Sequence, residues 1–182
     1  MATLPEIVNW LEGDDSLHLG RLLILIDVFA GRRGDQTIDG ITKLAKLDFL
    51  LRYPSYLERA LVARKVADAA AQVQEFERNS VEARMVRYKF GPWDHRYRRF
   101  LNILVGKGFV EVKDGRPVII RLTPKGREAA SSLLAQSEYS SIKRRANLLK
   151  QHLNIGAKAL MEFIYSVFPE VTSLRLGETI DQ

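Results

Sequence analysis

The segment 93–134 places the tightest constraint on the fold. Apolar residues recur at intervals of three and four over 93–105, which predicts a helix with one buried face. Gly106-Lys107-Gly108 ends that helix, and 109–122 consists of two short apolar runs around an Asp-Gly turn, typical of a β-hairpin. Thr123-Pro124 then begins another helix, with threonine as its cap and proline in its first turn. The predicted order is therefore helix, β-hairpin, helix.

This order indicates a winged helix-turn-helix core within a mainly α protein that carries a small β-wing, an α+β fold. Additional helices are expected at both ends. We expect one domain over 1–182, composed of N-terminal helices at 1–36, the winged-helix core at 37–138 with a helical insertion near 55–80, and C-terminal helices at 139–182.

Four further stretches carry a recognisable periodicity. Helical spacing predicts one helix over 17–30 and another that begins near Ile41, with Asp39 as its cap and Pro54 closing it. In that second helix three cations fall on faces other than the apolar one: Lys43, Lys46 and Arg52. The run 56–78 contains no glycine or proline and predicts a long helix, whereas alternation over 86–90 predicts a short strand that Gly91-Pro92 ends.

The last forty residues show a strong apolar stripe in two helical segments, from Leu148 to Leu153 and from Ile155 to Val167. Such a stripe either packs on its own domain or pairs with a partner, including a second copy of the chain. Packing is the expectation because most stripes of this kind are core.

Positive charge is concentrated in two parts of the chain. The segment 84–127 holds 12 basic residues and three acidic ones, and the stretch from Lys143 to Lys158 holds five basic residues and no carboxylate. The rest of the chain has a net negative charge. Clustered Lys and Arg attract polyanions because neutralised phosphates release condensed counterions, so we expect nucleic acid as a partner; the alternative is an acidic protein surface.

Several function classes are disfavoured. The chain has no cysteine, which excludes disulfides and thiolate sites and fits a cytoplasmic location. The longest apolar run, 22–26, is far too short to span a bilayer, and the acidic start does not suit a signal peptide. His18, His95 and His152 have no second ligand at metal-site spacing. We therefore expect no enzyme, no catalytic residue, no metal, no cofactor and no membrane contact.

Parts of the sequence resemble a known family. The pieces "GITKLAKLDFLLRYPSYLERAL" and "MVRYKFGPWDHRYRR" are similar to the middle component of ABC-three-component systems of Lamassu-type antiphage defence, over Gly40 to Leu134. "FGPWDHRYRRFLNILVGKGFV" and "LTPKG" carry the winged-helix likeness. The resemblance implies a small accessory subunit, comparable to the kite proteins of bacterial SMC complexes. Its partners would be an SMC-like ATPase and an effector subunit.

Two functions follow from the basic winged helix. In the first, a complex subunit grips double-stranded DNA without reading its sequence. The residues expected to contact phosphates, or instead an acidic surface of the ATPase, are Arg87, Lys89, Arg96, Arg98, Arg99, Lys113 and Arg116. In the second, a free transcription regulator, dimeric through its C-terminal helices, reads base edges with Arg98, Arg99 or Asn102.

Overall fold

The computed structural model describes residues 4–78, 85–88 and 91–180. It is mainly helical with a small antiparallel sheet, an α+β protein. The helices are α1 (Leu4–Ala30), α2 (Ile41–Arg52), α3 (Pro54–Ala63), α4 (Glu75–Arg78), α5 (Tyr97–Gly106), α6 (Pro124–Leu134), α7 (Ser140–Leu153), α8 (Ala157–Val167) and α9 (Pro169–Ser173). The strands are β1 (Thr37–Asp39), β2 (Val86–Tyr88), β3 (Gly91–Trp93), β4 (Val110–Lys113) and β5 (Ile119–Leu122).

The predicted hairpin is confirmed as β4 and β5, and a third strand joins it. The sheet has the order β1-β5-β4, all antiparallel, with Ile38 opposite Ile120 and Val112 opposite Ile120 on the other side. Ile38 and Ile120 are both buried. Strand β1 was not predicted from the sequence, because three residues are too few to show an alternating pattern. Its pairing with β5 holds it in place.

The start of α2 differs from the expectation. Asp39 does not cap the helix: it ends β1, and its carboxylate accepts a hydrogen bond from the Thr37 hydroxyl at 2.8 Å. The residue before α2 is Gly40, whose φ of 99° favours glycine. At the other end, Pro54 does separate two helices, since it is the first residue of α3.

The single long helix predicted over 56–78 is wrong. Helix α3 ends at Ala63, Lys65 adopts a left-handed φ of 61°, and the chain continues through a 3₁₀ turn before the short α4. Arg145 of α7 fixes this turn by donating from Nε to the Ala71 carbonyl at 3.0 Å and from Nη2 to the Gln72 carbonyl at 3.2 Å. A distant arginine therefore outweighs the local helical propensity.

The predicted strand over 86–90 is confirmed in part. Residues 86–88 form β2, while Lys89 and Phe90 lie outside the described residues. Gly91-Pro92 does not simply end the strand, because it belongs to the returning strand β3, in which Gly91 pairs with Tyr88. The φ of 120° at Gly91 requires glycine there.

The C-terminal stripe packs on the domain. Helix α7 lies against α1, and α8 lies against α2 and α3. The apolar residues that face inward are fully buried: Leu149, Leu153, Leu160 and Ile164. The apolar run Leu22 to Ile26, in the second half of α1, is buried, and α1 packs against α5, α6, α7 and the strands β1 and β5. Ahead of β1 the chain forms one helix, α1, where several were expected.

Candidate nucleic-acid interface

Helix α5 has one buried face and one basic exposed face. Its buried residues are Tyr97, Phe100, Leu101 and Leu104, and its exposed ones include Arg98, Arg99 and Asn102. The helix ends as the sequence predicts, because Gly108 with a φ of 73° donates from its backbone N–H to the Val105 carbonyl at 2.8 Å. The anchored face therefore fixes the direction in which the basic face points.

A groove joins α5 to the hairpin. Arg98 and His95 lie on one side of an open space of about 610 Å³, and Pro117 and Val118 lie on the other. Its remaining lining comes from Trp93 and the first residues of α2, Gly40, Ile41 and Thr42. At the hairpin, Lys113 and Arg116 are exposed. Within the described part of the chain, neither Arg98, Lys113 nor Arg116 forms an ion pair.

Two other arginines of this region are held by carboxylates of the protein itself. Arg96 donates from Nε to Asp94 Oδ1 at 3.1 Å and from Nη2 to Asp94 Oδ2 at 2.9 Å. Arg99 Nη2 lies 2.5 Å from Asp15 Oδ2, although 63% of the Arg99 side chain remains exposed. The side chain of Asp94 is itself buried. Arg96 is therefore structural in this arrangement, whereas Arg99 is shared between Asp15 and solvent.

Arg87 lies away from the groove. Its guanidinium donates to the backbone carbonyls of Thr172 and Leu174 and lies over the Tyr165 ring, with 5.9 Å from Cζ to the ring centroid. Its backbone N–H also donates to the Glu178 carbonyl at 2.9 Å. These contacts bind β2 to the C-terminal segment, so the phosphate contact expected of Arg87 is corrected to a structural role. Lys89 lies outside the described residues.

A buried ionic cluster supports α5 from below. Asp48 of α2 is fully buried and accepts hydrogen bonds from Arg21 Nε at 2.7 Å, Arg52 Nη2 at 3.0 Å and the Tyr97 hydroxyl at 2.6 Å. Burial alone would raise the pKa of Asp48, but the two guanidiniums outweigh it and hold that pKa well below its usual range. The carboxylate therefore stays ionised and keeps α1, α2 and α5 together.

The cluster continues to the residue that opens the turn before α5. Arg52 Nη1 donates to Asp94 Oδ2 at 2.9 Å. Burial raises the pKa of Asp94, but hydrogen bonds from Arg96 and the charge of Arg52 lower it further, to about 2. The ionic cluster was not predicted from the sequence, in which Arg52 falls on a face of α2 other than the apolar one. The one available signal was that Asp48 and Arg52 are four residues apart within an apolar helix.

The second basic stretch does not form one surface. Arg145 is buried and binds Glu77 through both terminal nitrogens, at 2.8 and 2.7 Å. Lys150 donates to the Val28 carbonyl at 3.0 Å. A pocket of about 210 Å³ beside Arg145 is also lined by Arg21 and Arg52, but carboxylates hold all three arginines. Arg145 and Lys150 therefore make internal contacts, whereas Lys143, Arg144 and Lys158 are exposed.

The histidines do not assemble a metal site. His18 is buried, with Nδ1 at 2.6 Å from Arg21 Nη2, Nε2 at 3.2 Å from Arg96 Nη2 and its ring stacked on Phe100. Over residues 4–78, 85–88 and 91–180 no group of three or more histidine and acidic side chains could hold a metal ion. Among the same residues, no helix combines the length and the apolar character that crossing a bilayer requires.

Comparison of the chain with protein-family models, with curated proteins and with solved structures finds no match.

Proposed function

We propose that this protein is a cytoplasmic, non-enzymatic winged-helix subunit that contacts double-stranded DNA through α5 and the β4–β5 hairpin. The observation that carries the proposal is that Arg98 and the hairpin line one open groove. Arg98, which lines the groove, and the exposed Lys113 and Arg116 of the hairpin have no ion-pair partner in the part of the chain that the structure describes. A DNA backbone would supply the missing anions.

The arrangement of elements supports the winged-helix assignment. The order α1, β1, α2, α5, β4, β5 and the sheet order β1-β5-β4 are compatible with a winged helix, in which we assign α5 as the recognition helix and the hairpin as the wing. The region 54–96 lies between α2 and α5 as an insertion. Its first helix, α3, packs against α2 and α8.

The side chains at the groove favour contacts to phosphate. Arginine and lysine can orient a protein on the duplex without reading its sequence when they lie on an exposed helix face and on a wing. The neighbouring Arg99 adds to this surface, while Asp15 competes with DNA for its guanidinium. Binding of this kind weakens steeply with salt, since each phosphate contact releases counterions.

The partners in the proposal come from the sequence resemblance over 40–134. We propose that the chain is the middle component of an ABC-three-component defence complex and joins an SMC-like ATPase and an effector subunit. Affinity capture of the tagged protein from its native host, with mass spectrometry, tests this assembly. Recovery of an SMC-like ATPase in near-stoichiometric amounts is the expected result, and capture of the chain alone contradicts it.

The DNA contact is tested by fluorescence anisotropy with a labelled duplex of random sequence. Arg98→Glu should weaken binding about tenfold and reduce the salt dependence by about one phosphate contact. Arg144→Glu is the matched control, because Arg144 is exposed on α7 and the substitution changes the net charge equally. Equal effects of the two variants would mean that the affinity depends on net charge alone, and would contradict the proposal that DNA binds at the groove.

A stand-alone regulator is the second candidate. Arg98 and Asn102 lie four residues apart on the exposed face of α5, and both are residue types that read guanine and adenine in a major groove. Selection from a random DNA pool distinguishes the two functions. A regulator would bind one enriched sequence about a thousandfold more tightly than the pool, whereas the proposed subunit would show little preference.

A further inference from the structure

A second recess lies on the side of α2 that faces α8. It has a volume of about 430 Å³ and is lined by Thr42, Lys46, Ala157, Lys158 and Met161. Its exposed lining is almost entirely carbon, from a methyl group, a thioether chain and the stems of two lysines. Small-molecule sites in proteins have this size and combine an apolar wall with one or two polar groups.

An unusual lysine, Lys46, is buried beside this recess. Lys46 is only 2% exposed, and a methyl group added at Gly91 would lie 3.2 Å from its Cε, so the stem is tightly covered on that side. Its Nζ donates one hydrogen bond, to the Thr42 carbonyl at 3.2 Å. An ammonium group carries three N–H bonds, so donors remain for another acceptor. No carboxylate of the described residues pairs with Lys46.

The lack of a counter-ion for this amine among the described residues costs free energy. Burial lowers the pKa of Lys46 to about 8, so at neutral pH the side chain is still mainly protonated. A buried cation is stabilised by an adjacent anion, which restores the interactions lost with water. A methionine at this position would pack without that cost. An anion next to Lys46 would offset the cost and let the lysine remain charged.

We propose that the recess binds a small carboxylate on an aliphatic stem. The carboxylate would pair with Lys46 while the stem lies against Ala157 and Met161. Lys158 also lines the recess, but its Nζ lies 3.9 Å from Glu162 Oε1, so the charge that would hold an anion is that of Lys46. A phosphate suits the recess less well, because most of its oxygens would face carbon, whereas a carboxylate has only two oxygens to satisfy.

Methionine methyl NMR reads this site directly. The chain has three methionines, Met1, Met85 and Met161, so ¹³C-methyl labelling gives few signals, and Met161→Leu assigns the one at the recess. Titration with hexanoate should shift the Met161 signal in a saturable way, with a dissociation constant on the order of 1 mM. The signal of the buried Met85 should stay in place. Hexanol and hexylamine, of similar length, should bind at least tenfold more weakly.

Lys46→Met removes the amine and keeps an unbranched side chain. It should abolish the preference for hexanoate over hexanol, whereas Lys107→Met, at an exposed lysine beyond α5, should preserve it with the same change in net charge. The proposal is overturned if hexanoate leaves Met161 unperturbed, if hexanol binds equally well to the wild type, or if Lys46→Met retains the preference. The wild-type comparison stands even where the variant folds poorly.

Discussion

The Tyr97 hydroxyl donates a hydrogen bond of 2.6 Å to Asp48, and neither side chain is reached by solvent. This contact joins α5, which carries the basic face, to α2 in the middle of the domain. Because Asp48 also binds Arg21 and Arg52, the position of α5 depends on a buried charge cluster as well as on apolar packing. A change in this cluster should therefore alter the position of the basic face of α5.

Substitutions in the cluster should differ in cost. Asp48→Asn removes the carboxylate that pairs with Arg21 and Arg52, of which Arg52 retains Asp94, and should lower the free energy of unfolding by about 3–5 kcal/mol. Tyr97→Phe removes one hydrogen bond but keeps the ion pairs, and should cost about 1–3 kcal/mol. Urea denaturation of the purified variants measures both values. A loss for Asp48→Asn no larger than that for Tyr97→Phe would show that the ion pairs contribute little.

The pH dependence of the unfolding free energy should show how much the ionised Asp94 carboxylate contributes to stability. Its pKa in the folded protein is about 2, below the ordinary 3.8, so its contribution is complete above pH 4 and is lost as the pH falls through 2. The difference in unfolding free energy between wild type and Asp94→Asn should be about 2 kcal/mol at pH 6 and should shrink towards pH 2. Urea titrations at several pH values measure this difference, and a constant difference would contradict the assignment.

Asp15 should moderate DNA binding through Arg99. Asp15→Asn releases the guanidinium of Arg99 and removes a negative charge beside α5, so affinity for a random duplex should rise about threefold at low salt. Asp35→Asn, in the exposed loop after α1, changes the net charge equally and is the control. Anisotropy titrations compare the two variants. An equal rise in both would assign the effect to net charge alone.

Arg145 should hold the insertion in its observed path. Arg145→Met removes the hydrogen bonds to Ala71, Gln72 and Glu77 while retaining an apolar stem of similar length. Hydrogen exchange of residues 64–78 should accelerate at least tenfold, because the turn loses its main tertiary contacts. Exchange in α5 provides the internal reference. Unchanged protection over 64–78 would mean that local interactions are sufficient to form the turn.

Much of the hairpin region could be predicted from its residues. The glycine stop of α5, the two strands and the threonine cap of α6 appear where the spacing places them, and the Thr123 hydroxyl accepts the Gly126 N–H at 2.9 Å. Helix α5 begins at Tyr97 and not at Trp93, because Trp93 belongs to strand β3. These features depend on interactions between residues close in the chain, such as turn geometry and helix capping. The exposed positions of Arg98, Lys113 and Arg116 follow from the same periodicity.

The charged residues of α2 and β2 illustrate what periodicity misses. Lys46 and Arg52 are polar by sequence and were placed off the apolar face, yet both are buried, because α8, β3 and the turn before α5 cover the sides of α2 that an isolated helix would expose. Arg87 likewise turns from the expected phosphate contact to the backbone of 172–174. Each outcome depends on elements distant in sequence.

The sequence by itself determined the local elements around the hairpin and the excess of positive charge there, because backbone preferences and side-chain period act over a few residues. Only the tertiary structure decided which cations remain available. Arg96 and Arg145 meet carboxylates brought to them by packing, Arg98 meets none among the described residues, and Lys46 is buried beside an apolar recess. Whether a charged side chain is paired depends on its neighbours in space, and the order of residues does not specify those neighbours.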